Sequence, residues 1–141
     1  MTRDVHGKNP MDCGIDVFSM RGLSLERGLE LCCRLGKTVA VIRDNDGIDP
    51  KELREPLKVW LKAGEREVFI GEVSQGRTLE PQLIHHCTEP LLRRILGVTD
   101  RANLETWMAR KKTEAALKIA ATKETVNAPA YMLSAAKFIH A

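Results

Sequence analysis

Three things are missing from this 141-residue chain, and each absence removes a class of answer. None of the four cysteines (Cys13, Cys32, Cys33 and Cys87) falls in a C-x-x-C pair, so nothing suggests a zinc ribbon. No run approaches the roughly 20 apolar residues of a membrane span. Met1 to Pro10 is polar and lacks the apolar core of a secretory signal. Aromatic residues are scarce, with two Trp, one Tyr and three Phe, so the core must be built mainly from Leu, Ile, Val and Ala. The expectation is a protein with no membrane association and a cytoplasmic location.

What is present suffices for one ordinary domain. Hydrophobic residues make up 43% of the chain, enough to bury a core without disulfides or metal. The net charge of +3 is unevenly spread: Leu91 to Ala141 carries nine Lys or Arg against four Asp or Glu, leaving the rest at −2. A basic C-terminal portion suits a phosphate-bearing partner, and a solvated helical surface has the same composition.

Residues 1–13 read as a polar tail or loop and 14–141 as the folded part. Ile15–Met20 alternates enough for a short strand. Ser24 can cap a helix carrying Leu25, Leu29, Cys32 and Cys33 on its apolar face, and Gly36 can end it. Thr38–Ile42 runs apolar without alternation, as a parallel strand covered on both faces does. Asp49-Pro50 can open a second helix that Pro56 kinks or restarts, and Val68–Ile70 makes a third strand. Helices follow near 81–86, 90–96, 102–109, 112–122 and 130–139. This pattern predicts an α/β fold with a small, mostly parallel sheet and a helical C-terminal portion.

The turn Arg43-Asp44-Asn45-Asp46-Gly47 directly follows the apolar strand. Ligands of parallel sheets bind beyond the carboxyl ends of strands, and two acids one residue apart can converge on a hard cation such as Mg²⁺. A solvated polar turn uses the same residue types. Lys112 bears Ala116, Ile119 and Ala120 four, seven and eight positions on, which predicts an inward-facing lysine. A stem lying over apolar surface with its amine in water is the other reading. His85, His86 and Cys87 are adjacent and project to different helix faces, so they read as structural or surface residues and not as a zinc set.

Several segments together resemble the topoisomerase-primase (Toprim) domain of overcoming-lysogenization-defect (OLD) family nucleases. They are Gly14-Ile15-Asp16-Val17 leading to Gly22, Val39 to Gly47, Thr78-Leu79-Glu80-Pro81, Lys112 to Leu117, and Pro129-Ala130-Tyr131-Met132. The resemblance spans about residues 14–139. It implies a Toprim-like, Rossmann-like fold and metal-dependent cleavage of DNA, in phage defence or DNA processing, with two Mg²⁺ or Mn²⁺ ions in the complete domain. On that basis Asp44, Asp46 and Glu80 match metal ligands and Lys112 matches the residue that stabilises charge on the phosphate. An acid beside a helix-opening proline, as at Glu80-Pro81, also suits the helix dipole alone. Arg93, Arg94, Arg110 and Lys111 are candidate contacts to the DNA backbone. Full-length relatives carry an ATPase domain ahead of this one, and the family's first strand ends in a glutamate in a Val-Glu-Gly context. Neither occurs in these 141 residues, so the isolated chain is expected to show weak or no cleavage. Homo-oligomerisation stays open. A non-catalytic module that binds nucleic acid or another subunit is the alternative, and a receiver-like signalling domain is a remoter one.

Overall fold

The computed structural model describes residues 7–21 and 24–140. Helix α1 (Leu25–Arg34) starts where the Ser24 side chain accepts the Arg27 backbone N–H at 3.4 Å. It stops because Gly36, at φ 62°, takes the left-handed turn an L-side chain resists. The N–H groups of Gly36 and Lys37 then return to the carbonyls of Cys33 and Cys32, at 3.1 and 2.9 Å, satisfying two carbonyls the helix end leaves open. Leu29 is buried on this helix, Cys32 is half-buried and Cys33 is exposed. The apolar face expected to carry both cysteines is corrected, since neither is fully buried: the buried line bends toward Cys32 and leaves Cys33 on the outside.

Strands β1 (Val39–Arg43) and β2 (Arg66–Ile70) pair in parallel, from Val39 opposite Arg66 to Arg43 opposite Ile70. A parallel pair needs a crossover. Helix α2 (Pro50–Arg54) supplies it, capped by the Asp49 carboxylate on the Lys51 N–H at 2.7 Å. Pro56 restarts the chain as a 3-10 helix over Glu55–Trp60, as a ring without an N–H would require. Leu29, Leu53, Leu57, Val68 and Ile70 close one apolar cluster on one side of the sheet. On the other, Phe69 packs on Phe138 of α7 (Ala130–His140), ring centres 5.5 Å apart.

The sheet has two strands among the described residues, and the predicted strand at Ile15–Met20 is not formed. Val17 and Phe18 are each 80% exposed there. Alternation alone says which residues share a side; it does not supply a partner edge. Ile42 is 42% exposed, so the two-sided cover expected for β1 is incomplete.

The remaining helices are α3 (Leu79–His86), α4 (Glu89–Leu96), α5 (Leu104–Arg110) and α6 (Lys112–Ala121). They enclose a second cluster of Cys87, Leu92, Leu96, Val98, Leu104, Met108 and Ala115. Truncating a fully buried leucine such as Leu92 there would cost about 2–5 kcal/mol. No described helix is long and apolar enough to cross a membrane.

Candidate metal and phosphate site

The acidic turn follows β1, and a buried asparagine holds it in place. Asn45 is 1% exposed. Its Nδ2 donates to the carbonyls of Gly71 and Gly76, at 2.9 and 2.7 Å, and its Oδ1 accepts the Gly47 N–H at 2.8 Å. Gln82 of α3 extends the network: its Nε2 donates to the Gly76 and Glu72 carbonyls at 2.8 and 3.0 Å. The turn after β1, the loop after β2 and the first turn of α3 are thus tied by two buried amides. The expense of leaving such groups unpaired makes the arrangement stiff.

Around this hub Asp44 and Asp46 point differently. Asp46 adopts φ 53°, the one non-glycine residue in the left-handed region among the described residues. Its backbone is clamped by Arg77, whose carbonyl accepts the Asp46 N–H at 3.0 Å and whose guanidinium donates to the Asp46 carbonyl at 2.9 Å. The Asp46 side chain is left exposed. Asp44 is half-buried. Burial pushes its carboxyl above the usual range, the negative charges of Asp46 and Glu80 push it further, and Lys112 and the Leu79 backbone N–H pull it back.

Glu80 sits in the first turn of α3 with its side chain 10% exposed. Burial raises its carboxyl, but its own backbone N–H, the Thr78 hydroxyl and Lys112 together outweigh that and hold it below the usual range. The Lys112 ammonium is 3.2 Å from Glu80 Oε1. Lys112 itself is 68% exposed. The predicted inward orientation is corrected here: Ala115 and Ile119 pack inward on α6, whereas Ala116 and Ala120 are exposed, and Lys112 reaches Glu80 from the outside. Alanines carry too little apolar area to set the phase of a helix against one isoleucine.

Two residues outside the sequence-based candidates belong to this site. Asn45 is the keystone just described. Tyr131, half-buried on α7, has a phenol pushed up to about 12 by burial and by the charges of Asp44 and Glu80. It stays a neutral hydrogen-bond donor throughout the working pH range. That it is the chain's single tyrosine was visible, but no local pattern joins it to an acid some fifty residues away.

Asp44, Glu80, Lys112 and Tyr131 therefore share one neighbourhood, with Asp46 at its rim. The donor chemistry fits a hard cation: all candidate ligands are carboxylate oxygens, and Mg²⁺ commonly takes one or two carboxylates and completes its shell with water. Among the described residues no group of three His, Cys, Asp or Glu side chains converges tightly enough to hold a metal. What is in place is a pair of electrostatically coupled carboxylates, Asp44 and Glu80, with Lys112 supplying the countercharge at Glu80.

The candidate DNA contacts divide. Arg93, only 14% exposed, donates to Glu89 at 2.6 Å and to the carbonyls of Thr99 and Ala102 at 2.6 and 2.9 Å, and so fastens the loop before α5. Arg94 is paired with Glu124 at 2.6 Å. Lys111 leans on Glu114 at 3.1 Å. Arg110 is exposed, with no hydrogen bond or ion pair among the described residues. His86 ties α3 to α7, its Nδ1 2.9 Å from the Gln82 carbonyl oxygen and its Nε2 accepting the Ala130 N–H at 3.4 Å, while His85 is exposed. Compared with family models, curated proteins and solved structures, the chain matches none.

Proposed function

We propose that the chain is the metal-dependent part of a DNA endonuclease, a Toprim-like domain of the OLD type that hydrolyses phosphodiester bonds. The observation that carries this is the meeting of Asp44, Glu80 and Lys112, from the end of β1, the start of α3 and the start of α6, in one electrostatically coupled group. Asp44 and Glu80 would hold Mg²⁺ or Mn²⁺, with Asp46 adding negative charge from the rim. Such an ion supplies a more acidic water and a countercharge for the phosphate oxygens. Lys112 and Tyr131 would donate to those oxygens, Lys112 as a cation and Tyr131 as a neutral phenol. Arg110 and Lys111 would lie against the DNA backbone. Arg93 is left out, because its guanidinium is occupied within the fold.

The test is thermal unfolding with and without Mn²⁺. Millimolar Mn²⁺ should raise the melting temperature of the wild type, and Asp44→Asn and Glu80→Gln should each abolish the rise while remaining folded. Absence of any Mn²⁺ effect on the wild type, or an undiminished one in Asp44→Asn, would end the metal reading.

The Lys112–Glu80 ion pair favours a second reading, a non-catalytic module that binds nucleic acid. In that case Lys112 balances Glu80 permanently, and Lys112→Ala should weaken folding without enhancing Mn²⁺ binding. In the nuclease reading the same substitution frees Glu80 for the ion, so the Mn²⁺-induced shift should grow.

A further inference from the structure

Away from the acidic turn, α5 and the start of α6 form a shallow concavity of about 310 Å³ lined by Ala102, Asn103, Thr106, Trp107, Arg110 and Lys111. No acid is among its lining residues. Trp107 is half-buried and therefore presents part of its indole to this hollow. The ammonium groups of Lys111 and Lys118 each lie 5.4 Å from the indole centre. Glu114 gathers both, at 3.1 and 2.9 Å, and Lys118 is also anchored on the Leu96 carbonyl at 2.7 Å. The ring is thus held by charged neighbours, Lys111 just before α6 and Lys118 on it, while Arg110 on the rim has no partner among the described residues. A fixed aromatic floor with an unpaired guanidinium beside it is the combination that receives a stacked base and its phosphate.

We infer that the Trp107 hollow binds one base of single-stranded DNA, with Arg110 on the adjoining phosphate. Charge complementarity selects the occupant: the rim is cationic, the floor is a planar ring, and the free Asn103 amide protons and Thr106 hydroxyl can meet base edges. Asn103 uses its Oδ1 to cap α5 at the Thr106 N–H, 2.8 Å away, so its amide nitrogen is the part left for a ligand. Arg110, Lys111 and Lys112 are consecutive, and the third of them touches Glu80. A strand held by Arg110 would therefore lie two residues along the chain from the lysine that meets Glu80, within reach of a bound ion there. Only this last step rests on the nuclease reading; occupancy of the hollow does not.

The chain's other tryptophan, Trp60, has a buried indole N–H without a partner, so Trp60→Phe sacrifices no hydrogen bond and leaves Trp107 as the sole indole reporter. In EDTA, oligothymidine of about 12 nucleotides, within the usual span of single-strand sites, should quench that fluorescence saturably. Arg110→Ala should raise Kd by roughly fivefold or more and flatten its salt dependence, with unchanged circular dichroism. No quenching, quenching indifferent to Arg110→Ala, or equal displacement by poly-glutamate would overturn the proposal, the last by pointing to acidic peptides. Saturable binding without any Mn²⁺-induced rise in melting temperature would sink the nuclease reading and keep this one; a Mn²⁺-induced rise that Asp44→Asn abolishes, with Trp107 unquenched, would do the reverse.

Discussion

Asp46 is where folding and function can be separated most cleanly at a single residue. Its left-handed backbone costs an L-residue about 1–2 kcal/mol, somewhat less for an aspartate. Glycine removes that cost and adds about 0.5–1 kcal/mol of chain entropy to be lost on folding. The clamp on Arg77 uses only the Asp46 backbone and survives the change. Asp46→Gly should therefore leave stability unchanged or raise it by up to about 1 kcal/mol in urea unfolding, while diminishing the Mn²⁺-induced rise in melting temperature. A loss above about 1 kcal/mol would mean that the carboxylate, too, holds the turn. The two acids of this turn were legible in the sequence because D-x-D after an apolar strand is a compact local pattern. Asn45 between them read as a turn former. Its burial depends on the carbonyls of Gly71 and Gly76, which no local pattern announces.

At the scale of elements, start and stop signals were the most legible features. Ser24, Asp49 and Gly36 act where caps and stops were expected, because those interactions lie within a few residues of the helix end. The helices after residue 78 also fall close to their expected spans. The strand expected at Ile15–Met20 failed because a strand is a property of two segments. The approach to α3 is as constrained as the caps. Gly76 has φ 137° and ψ 153°, a region essentially closed to other residues, and a Cβ there would stand 2.7 Å from the Pro81 ring. Gly76→Ala should consequently destabilise the protein by at least about 2 kcal/mol. It should also displace the first turn of α3 and with it Glu80, so that the residual folded protein loses its response to Mn²⁺. Urea unfolding and the Mn²⁺ thermal shift, measured on the same variant, check both halves; a stability loss of under about 1 kcal/mol would show that α3 tolerates a different approach.

For the molecule as a whole, Asp44 and Glu80 report on how the end of β1 and the start of α3 are docked, since one acid follows the strand and the other lies in the first turn of the helix. Their signs differ. The Glu80 carboxyl is depressed in the folded state, so its ionised form contributes stability above the unfolded carboxylate range, lost as pH falls through the folded value. The Asp44 carboxyl is raised, so its protonated form is the favoured one: the contribution is present below the unfolded range and lost as pH rises through the folded value. At pH 7 Glu80→Gln should destabilise and Asp44→Asn should stabilise, because the asparagine carbonyl can still accept the Leu79 N–H without the charge. The two acids repel each other, so the double variant should be more stable than the Asp44→Asn gain and the Glu80→Gln loss predict separately only if Lys112 couples them more strongly than their own repulsion does. If direct repulsion dominates, it should be less stable than that prediction by about 0.5–1 kcal/mol, since one relief would be counted twice. Direct repulsion is the expected outcome, given that Glu80 ranks above Lys112 among the influences on Asp44. The coupling should be smaller at acid pH, where the carboxyls take up protons. A double-mutant cycle by urea unfolding at the two pH values decides it, and a coupling of zero at pH 7 would place the two acids in separate surroundings and leave no shared site for a cation.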